Sequence, residues 1–284
     1  MYNRLNKSSG SAAAFERINI YEYLGLHMES NRKGENTMLT GKTTVVTGCL
    51  QGIGRETLRV FAENGANVYA CAYKKTDEYE SFCRELSDRN GVMIRPVYFD
   101  MMDNGSIREA AKEIQAQKTE IHGLVNIAGI NKDAYFNMVT YQDMLDTFQV
   151  NFFSQIVFSQ YIVKLMQRRK TAGSIVFTSS IAALDGNEGQ LSYGASKAAL
   201  IGAMRTMALE LGKTGIRVNA VAPGVISTPM TAALSQSNID KKVRAMDIPR
   251  LGTAKEVAEL FLFLMSDLSG HISGQTIRVD GGIR

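Results

Sequence analysis

Tyr193 and Lys197 stand four residues apart in Ser192-Tyr193-Gly194-Ala195-Ser196-Lys197, and Ser180 lies thirteen residues upstream. Residues at i and i+4 share one helix face, so a phenol and an ammonium would point into the same space. A phenol has a reference pKa of roughly 10 and is a poor acid or base at neutral pH. A nearby cation favours the phenolate and lowers that value, toward the range where proton transfer is efficient. A serine hydroxyl from another element would hold a substrate oxygen beside the phenol. The Tyr–Lys pair alone is weak, because chance supplies such spacing and a solvated helix pair looks the same. The surrounding elements have to decide.

Those elements alternate. Short β-branched or apolar runs at Thr43–Thr47, Asn67–Tyr73, Met93–Phe99, Gly123–Ile127, Ser174–Thr178, Val218–Ala222 and Thr276–Val279 read as strands. Helical spacing covers Arg55–Glu63, Tyr79–Asp88, Ser106–Gln117, Tyr141–Arg169, Leu191–Gly212 and Ala254–Ser266. Strands that are apolar throughout predict an α/β, doubly wound, seven-stranded parallel sheet flanked by helices, a single-domain Rossmann fold over residues 39–284. Residues 1–38 differ. Ser8-Ser9-Gly10-Ser11 reads as a linker and Phe15–Leu26 as a short element, an extension that is either tag-derived and poorly ordered or a native arm.

Bulk properties exclude several classes. The 284 residues are 45% apolar and 21% charged, with a formal charge of +4, which is ordinary globular composition and no nucleic-acid footprint. Cys49, Cys71 and Cys83 form no CxxC, and the three histidines are scattered. A reduced, cytoplasmic protein without a metal site is expected. No apolar run approaches the ~20 residues of a membrane span.

Gly48-Cys49-Leu50-Gln51-Gly52-Ile53-Gly54 sits between the first strand and the first helix. Glycines there let backbone approach a pyrophosphate, and the helix start favours the anion. Cys49 in this loop reads as a space-filler. The second strand ends Tyr73-Lys74-Lys75 with no carboxylate until Asp77. An acid at that point would bond a ribose hydroxyl, whereas two lysines suit a 2′-phosphate. NADP(H) is therefore favoured over NAD(H). A solvated turn is the plainer alternative.

Together these motifs resemble the short-chain dehydrogenases/reductases over nearly all of residues 39–284. Gly48, Gly52 and Gly54 match the cofactor loop. Asp100, with Met101 after it, matches the adenine-side acid. Asn126-Ile127-Ala128-Gly129 is similar to the family's Asn-Asn-Ala-Gly, with Ile127 replacing the second Asn. Asn151 matches the catalytic-helix asparagine, and Ser180, Tyr193 and Lys197 match the catalytic trio. Pro223-Gly224-Val225-Ile226-Ser227-Thr228 is similar to the carboxamide-holding segment. The resemblance implies reversible ketone–alcohol interconversion. Tyr193 is the proton donor, Lys197 tunes it and holds the ribose, Ser180 holds the substrate oxygen, and Asn151 holds a water in a proton relay.

The stretch from Arg250-Leu251-Gly252 to Val279-Asp280-Gly281-Gly282 looks most like 3-oxoacyl-(acyl-carrier-protein) reductases of fatty acid biosynthesis. That subgroup implies an acyl carrier protein as partner, met by Arg168-Arg169-Lys170 and Lys213 near the site mouth; a basic run that simply complements a helix C-terminus is the plainer reading of the same residues. A homotetramer or homodimer is implied as well. A sugar, polyol or steroid alcohol dehydrogenase stays open, as does a non-catalytic nucleotide-binding scaffold. Ser227–Ile248, expected as a flap, and Ile181–Gln190 are the segments that choose the substrate.

Overall fold

The seven expected strands all form and lie in one parallel sheet. They are β1 (Thr43–Val46), β2 (Asn67–Ala72), β3 (Ile94–Tyr98), β4 (Gly123–Asn126), β5 (Gly173–Thr178), β6 (Ile216–Pro223) and, at the end of the chain, β9 (Thr276–Val279). Their spatial order is β3-β2-β1-β4-β5-β6-β9. In this computed structural model, residues 37–232 and 235–283 are described. The extension before Thr37, with the linker and short element expected there, lies outside them.

Pro96 is accommodated because β3 is an edge strand, where a missing N–H costs no second ladder. The helices are α1 (Gly52–Glu63), α2 (Asp77–Asn90), α3 (Asn104–Ala116), α4 (Tyr141–Phe148), α5 (Ser154–Arg169), α6 (Leu191–Leu211), the short α7 (Pro229–Ala232), α8 (Gln236–Arg244) and α9 (Ala254–Met265). Two cores form, one on each sheet face. Ile107, Phe158, Ile162 and Met204 pack on one, and Leu58, Phe61, Val257 and Phe261 on the other. The Phe99 and Phe158 rings meet at 4.9 Å. A side chain such as Phe158, fully buried, contributes about 1.5–3 kcal/mol.

Two features depart from the expected elements. The single helix over Tyr141–Arg169 is broken by a π turn at Gln149–Phe153, with Asn151 at its centre. A flap-sized excursion follows β6, closed at its base by a two-strand parallel pair, β7 (Ile226–Ser227) against β8 (Gly252–Thr253). No helix among the described residues is long and apolar enough to cross a membrane.

Because every strand of the main sheet runs the same way, the segments after β1, β2, β3, β4, β5 and β6 open on one edge. The sheet reverses its winding between β1 and β4, which is where such sheets leave a crevice.

Candidate active site

The crevice is a cavity of about 580 Å³. It is lined by the glycine loop, by Tyr73 and Lys74 after β2, by Asp100 and Met101 after β3, and by Ala128 and Gly129 after β4. Ser180, Tyr193, Lys197, Pro223, Gly224, Ile226 and Thr228 complete it. Every predicted cofactor or catalytic residue lines it except Asn126 and Asn151, which are wholly buried behind it.

The phosphate end is a cradle that side chains would fill. A Cβ on Gly54 would come within 2.0 Å of the Gly48 carbonyl oxygen, and one on Gly48 within 2.8 Å of the Ala128 nitrogen. Gly48 also has φ +74°, a region costly for other residues. At the start of α1, Gln51 makes no side-chain capping bond and the first turn carries no acid. Its N–H groups and dipole are thus free for an anion. Cys49 Sγ bonds the Val46 carbonyl at 3.1 Å and burial pushes its thiol pKa well up, so it fills space.

Of the two lysines after β2, only Lys74 lines the crevice. Lys75 pairs instead with Glu80 at 2.9 Å, and Arg55 pairs with Glu78 at 2.8 Å. The two-lysine reading therefore reduces to one cation, because acids in the first turn of α2 take the other.

At the reactive end, α6 carries Tyr193 and Lys197 and the turn after β5 carries Ser180. Lys197 is 2% exposed and donates to the Thr178 carbonyl at 2.8 Å, with its nitrogen 5.8 Å from the Tyr193 ring centre. Burial alone lowers its pKa to about 7. The Tyr193 phenol moves the other way. Burial raises its pKa, hydrogen bonding with Ser180 opposes that, and the Asp133 carboxylate adds to the rise. Among these influences hydrogen bonding with Ser180 is the one that lowers the phenol's pKa, against the rise from burial.

Asn151 is turned inward by the π turn, a device that recurs at functional sites. Its Oδ1 accepts from the Ile130 N–H at 2.8 Å and its Nδ2 donates to the Ile130 carbonyl at 2.9 Å. A Cβ on Gly129 would stand 3.1 Å from Asn151 Oδ1 and 3.3 Å from Lys197 Nζ, so glycine there lets both side chains pack behind the crevice floor.

Residues not anticipated also build the site. Thr47 Oγ1 accepts from the Ile127 and Ala128 N–H groups, tying β1 to the segment after β4. Ser179 Oγ donates to the Lys197 carbonyl at 3.0 Å. A Cβ on Gly194 would lie 2.8 Å from the Ala182 carbonyl oxygen, so this glycine lets α6 seat against the Ser180 turn. Its signal was present: glycine inside a helix costs about 1 kcal/mol against alanine and calls for a packing reason.

The basic run is elsewhere. Arg168, Arg169 and Lys170 precede β5, and Lys213 follows α6. Six residues of strand put the run about 20 Å from the Ser180 edge. The eighteen steps from Tyr193 to Leu211 span about 27 Å of α6, and Lys213 lies just beyond that end. Arg169 there bonds the Lys118 carbonyl at 2.6 Å. Within one chain these cations are at the opposite end of the sheet from the site mouth, because β5 runs from Lys170 toward the site and α6 runs from the site toward Lys213.

The profile described as Enoyl-(Acyl carrier protein) reductase matches residues 48–284. The 3-oxoacyl-(acyl-carrier-protein) reductase of Thermotoga maritima is 37% identical over 245 residues, covering 86% of this chain and 98% of its own length. That of Escherichia coli is 34% identical over 243 residues, covering 86% and 97%. A crystal structure of 3-oxoacyl-(acyl-carrier protein) reductase from Brucella melitensis superposes with a TM-score of 0.80 at 29% identity, covering 87% of this chain and 92% of that one. With the parallel sheet, the glycine cradle and the Ser180–Tyr193–Lys197 wall, these matches show that the chain belongs to the short-chain dehydrogenase/reductase family of NAD(P)-dependent oxidoreductases.

Proposed function

We propose that the chain reduces the 3-keto group of an acyl thioester to a secondary alcohol with NADPH. The observation that carries this is the convergence of the Ser180 and Tyr193 hydroxyls on one wall of a crevice whose other end is an anion cradle. The relatives named above are 3-oxoacyl reductases, which supports the same substrate class.

When bound, the nicotinamide cofactor supplies the hydride. Gly48, Gly52 and Gly54 would admit its pyrophosphate, Lys74 would meet a 2′-phosphate, and Pro223, Gly224 and Thr228 would hold the nicotinamide end. Tyr193, whose burial keeps the phenol protonated at neutral pH, donates that proton to the substrate carbonyl oxygen. Ser180 hydrogen-bonds the same oxygen and stabilises the charge that develops there. Lys197 holds ribose hydroxyls and, with a water held beside Asn151, restores the proton to Tyr193. The arm of the substrate enters between the Ile181–Gln190 loop and the flap.

NADPH oxidation is measured with acetoacetyl and crotonyl thioesters, and NAD reduction with polyol and steroid alcohols. Fastest turnover of the acetoacetyl thioester is expected. Turnover of only a polyol or steroid would replace the substrate class, crotonyl preference would favour an enoyl reductase, and tight NADPH binding with no turnover would favour a scaffold. For the cofactor, Lys74→Glu is expected to cut the NADPH-over-NADH preference about tenfold, read from dissociation constants. An unchanged ratio would remove Lys74 from 2′-phosphate recognition.

An acyl carrier protein is the proposed bearer of the thioester. A homotetramer or homodimer is the proposed assembly. Exposed Leu145, Phe153 and Leu209 on the helical faces favour an oligomer, which light scattering of the eluting protein would test.

A further inference from the structure

Arg278 lies on β9, two residues before the Asp280-Gly281-Gly282 tail, and nothing in its local spacing suggests a role. In the fold its guanidinium joins three places. Nη1 and Nη2 donate to the two carboxylate oxygens of Asp185 at 3.0 and 2.6 Å. Nε donates to Asp280 Oδ2 at 2.6 Å, and Nη2 also reaches the Ile283 carbonyl at 3.3 Å.

Each partner leads to the reactive end. Asp185 closes the turn that Ser180 opens: its N–H donates to the Ile181 carbonyl at 2.9 Å, and the Ser180 hydroxyl caps the same turn at the Ala182 N–H. Asp280 is nearly buried, with 7% of its side chain exposed. It packs on Gly224, where a Cβ would come within 2.6 Å of its own Cβ, and Gly224 donates to the Val279 carbonyl at 2.9 Å. Gly224 and Ser180 both line the crevice. Arg278 is thus the shared grip between the turn bearing Ser180 and the end of the neighbouring strand at Gly224.

An exposed ion pair usually contributes little, because solvent screens it. This one differs in geometry. The fork is bidentate on Asp185, is shared with a nearly buried second carboxylate, and needs the planar spread that lysine lacks.

We propose that Arg278 is a positioning residue that holds the Ser180 hydroxyl in register with the Tyr193 phenol. It depends on the assigned roles of Ser180 and Tyr193 but not on which ketone is reduced.

The test compares Arg278→Gln and Arg278→Lys in otherwise wild-type protein and in the Ser180→Ala background. Arg278→Gln is expected to lower kcat at least about tenfold, toward the roughly 10²-fold that a 1 Å misplacement costs, with the NADPH dissociation constant unchanged. Arg278→Lys recovers only part of the loss. In Ser180→Ala the second substitution costs less than about twofold, because the hydroxyl it positions is gone. Full additivity, or unchanged kcat in Arg278→Gln, overturns the inference. Hydrogen exchange gives a readout independent of turnover. Amides of residues 181–190 are expected to exchange faster in Arg278→Gln, while those of β5 and of α6 beyond its first turn do not change. Equal exchange in that loop overturns the inference even if no ketone is reduced, whereas a wild type without turnover but with the predicted exchange overturns only the catalytic reading.

Discussion

The wall bearing Tyr193 and the flap facing it are built on opposite physical terms. In the wall, Ser179, Ser192, Ser196 and Lys197 are each at most 2% exposed, and Ser179, Ser196 and Lys197 are hydrogen-bonded. In the flap, the described side chains of α8 are half-buried or exposed, and its contact with the rest of the site includes a Lys242–Asn187 hydrogen bond at 2.8 Å. The flap is fixed at its ends, by β7 against β8 and by the Ile248 N–H donating to the Gly281 carbonyl at 2.9 Å. A rigid, dry wall holds reacting atoms to within fractions of an ångström. A segment with little buried area can open and close. Variants of the wall should therefore move kcat, and variants of the flap KM.

The largest effect is expected from Tyr193→Phe, which removes the proton donor and should lower kcat about 10³-fold with NADPH affinity retained. Near-full NADPH oxidation with every ketone that the wild type reduces would take proton transfer away from this wall.

Gly194→Ala comes next. Helix propensity alone would gain about 1 kcal/mol. Contact with the Ala182 carbonyl should instead push α6 from the Ser180 turn and lower kcat at least about tenfold. A stabilised and fully active variant would mean that the wall tolerates a shift it is argued to forbid.

Lys197→Met tests the wall's electrostatics through stability. Burial lowers the native pKa of Lys197 from 10.5 to about 7. Between those values the unfolded chain binds a proton that the folded chain does not. Wild-type stability from this group therefore rises with pH from about 7 to about 10, by up to about 1.4 kcal/mol per pH unit, and is flat below. Urea denaturation at several pH values should show the stability of wild type relative to the Met variant growing across that window. A constant difference would mean that the ammonium is not desolvated.

The smallest effect belongs to the flap. Lys242→Ala or Asn187→Ala should raise KM for the thioester a few-fold, leave kcat within about twofold and change stability by less than about 1 kcal/mol. A kcat loss like that of Gly194→Ala would erase the distinction between the two regions.

Much of the wall was legible before any coordinates. A Tyr–Lys pair at helical spacing and a glycine cluster between strand and helix are local patterns, and local backbone geometry converts them directly into shared faces and open amides. The flap was legible only as a place. Its residues contact solvent and substrate, so no periodicity or packing constraint marks what they bind. The π turn escaped notice because Tyr141–Arg169 has unbroken helical spacing. The extra residue per turn is compensated by the bonds of Asn151 to Ile130, 21 residues away.

Sequence by itself determined the element order and the parallel sheet, because each rests on spacings within one or two elements, and through the order of its motifs it implied the reaction class. Only the tertiary structure decided that Lys74 and not Lys75 faces the crevice, that Ser180 and Tyr193 share one wall of it, and that the basic run lies at the far end of the sheet. It alone brought Arg278 to Asp185, 93 residues apart. These outcomes depend on packing between distant segments and on the loss of water around buried groups, and neither is written in local spacing.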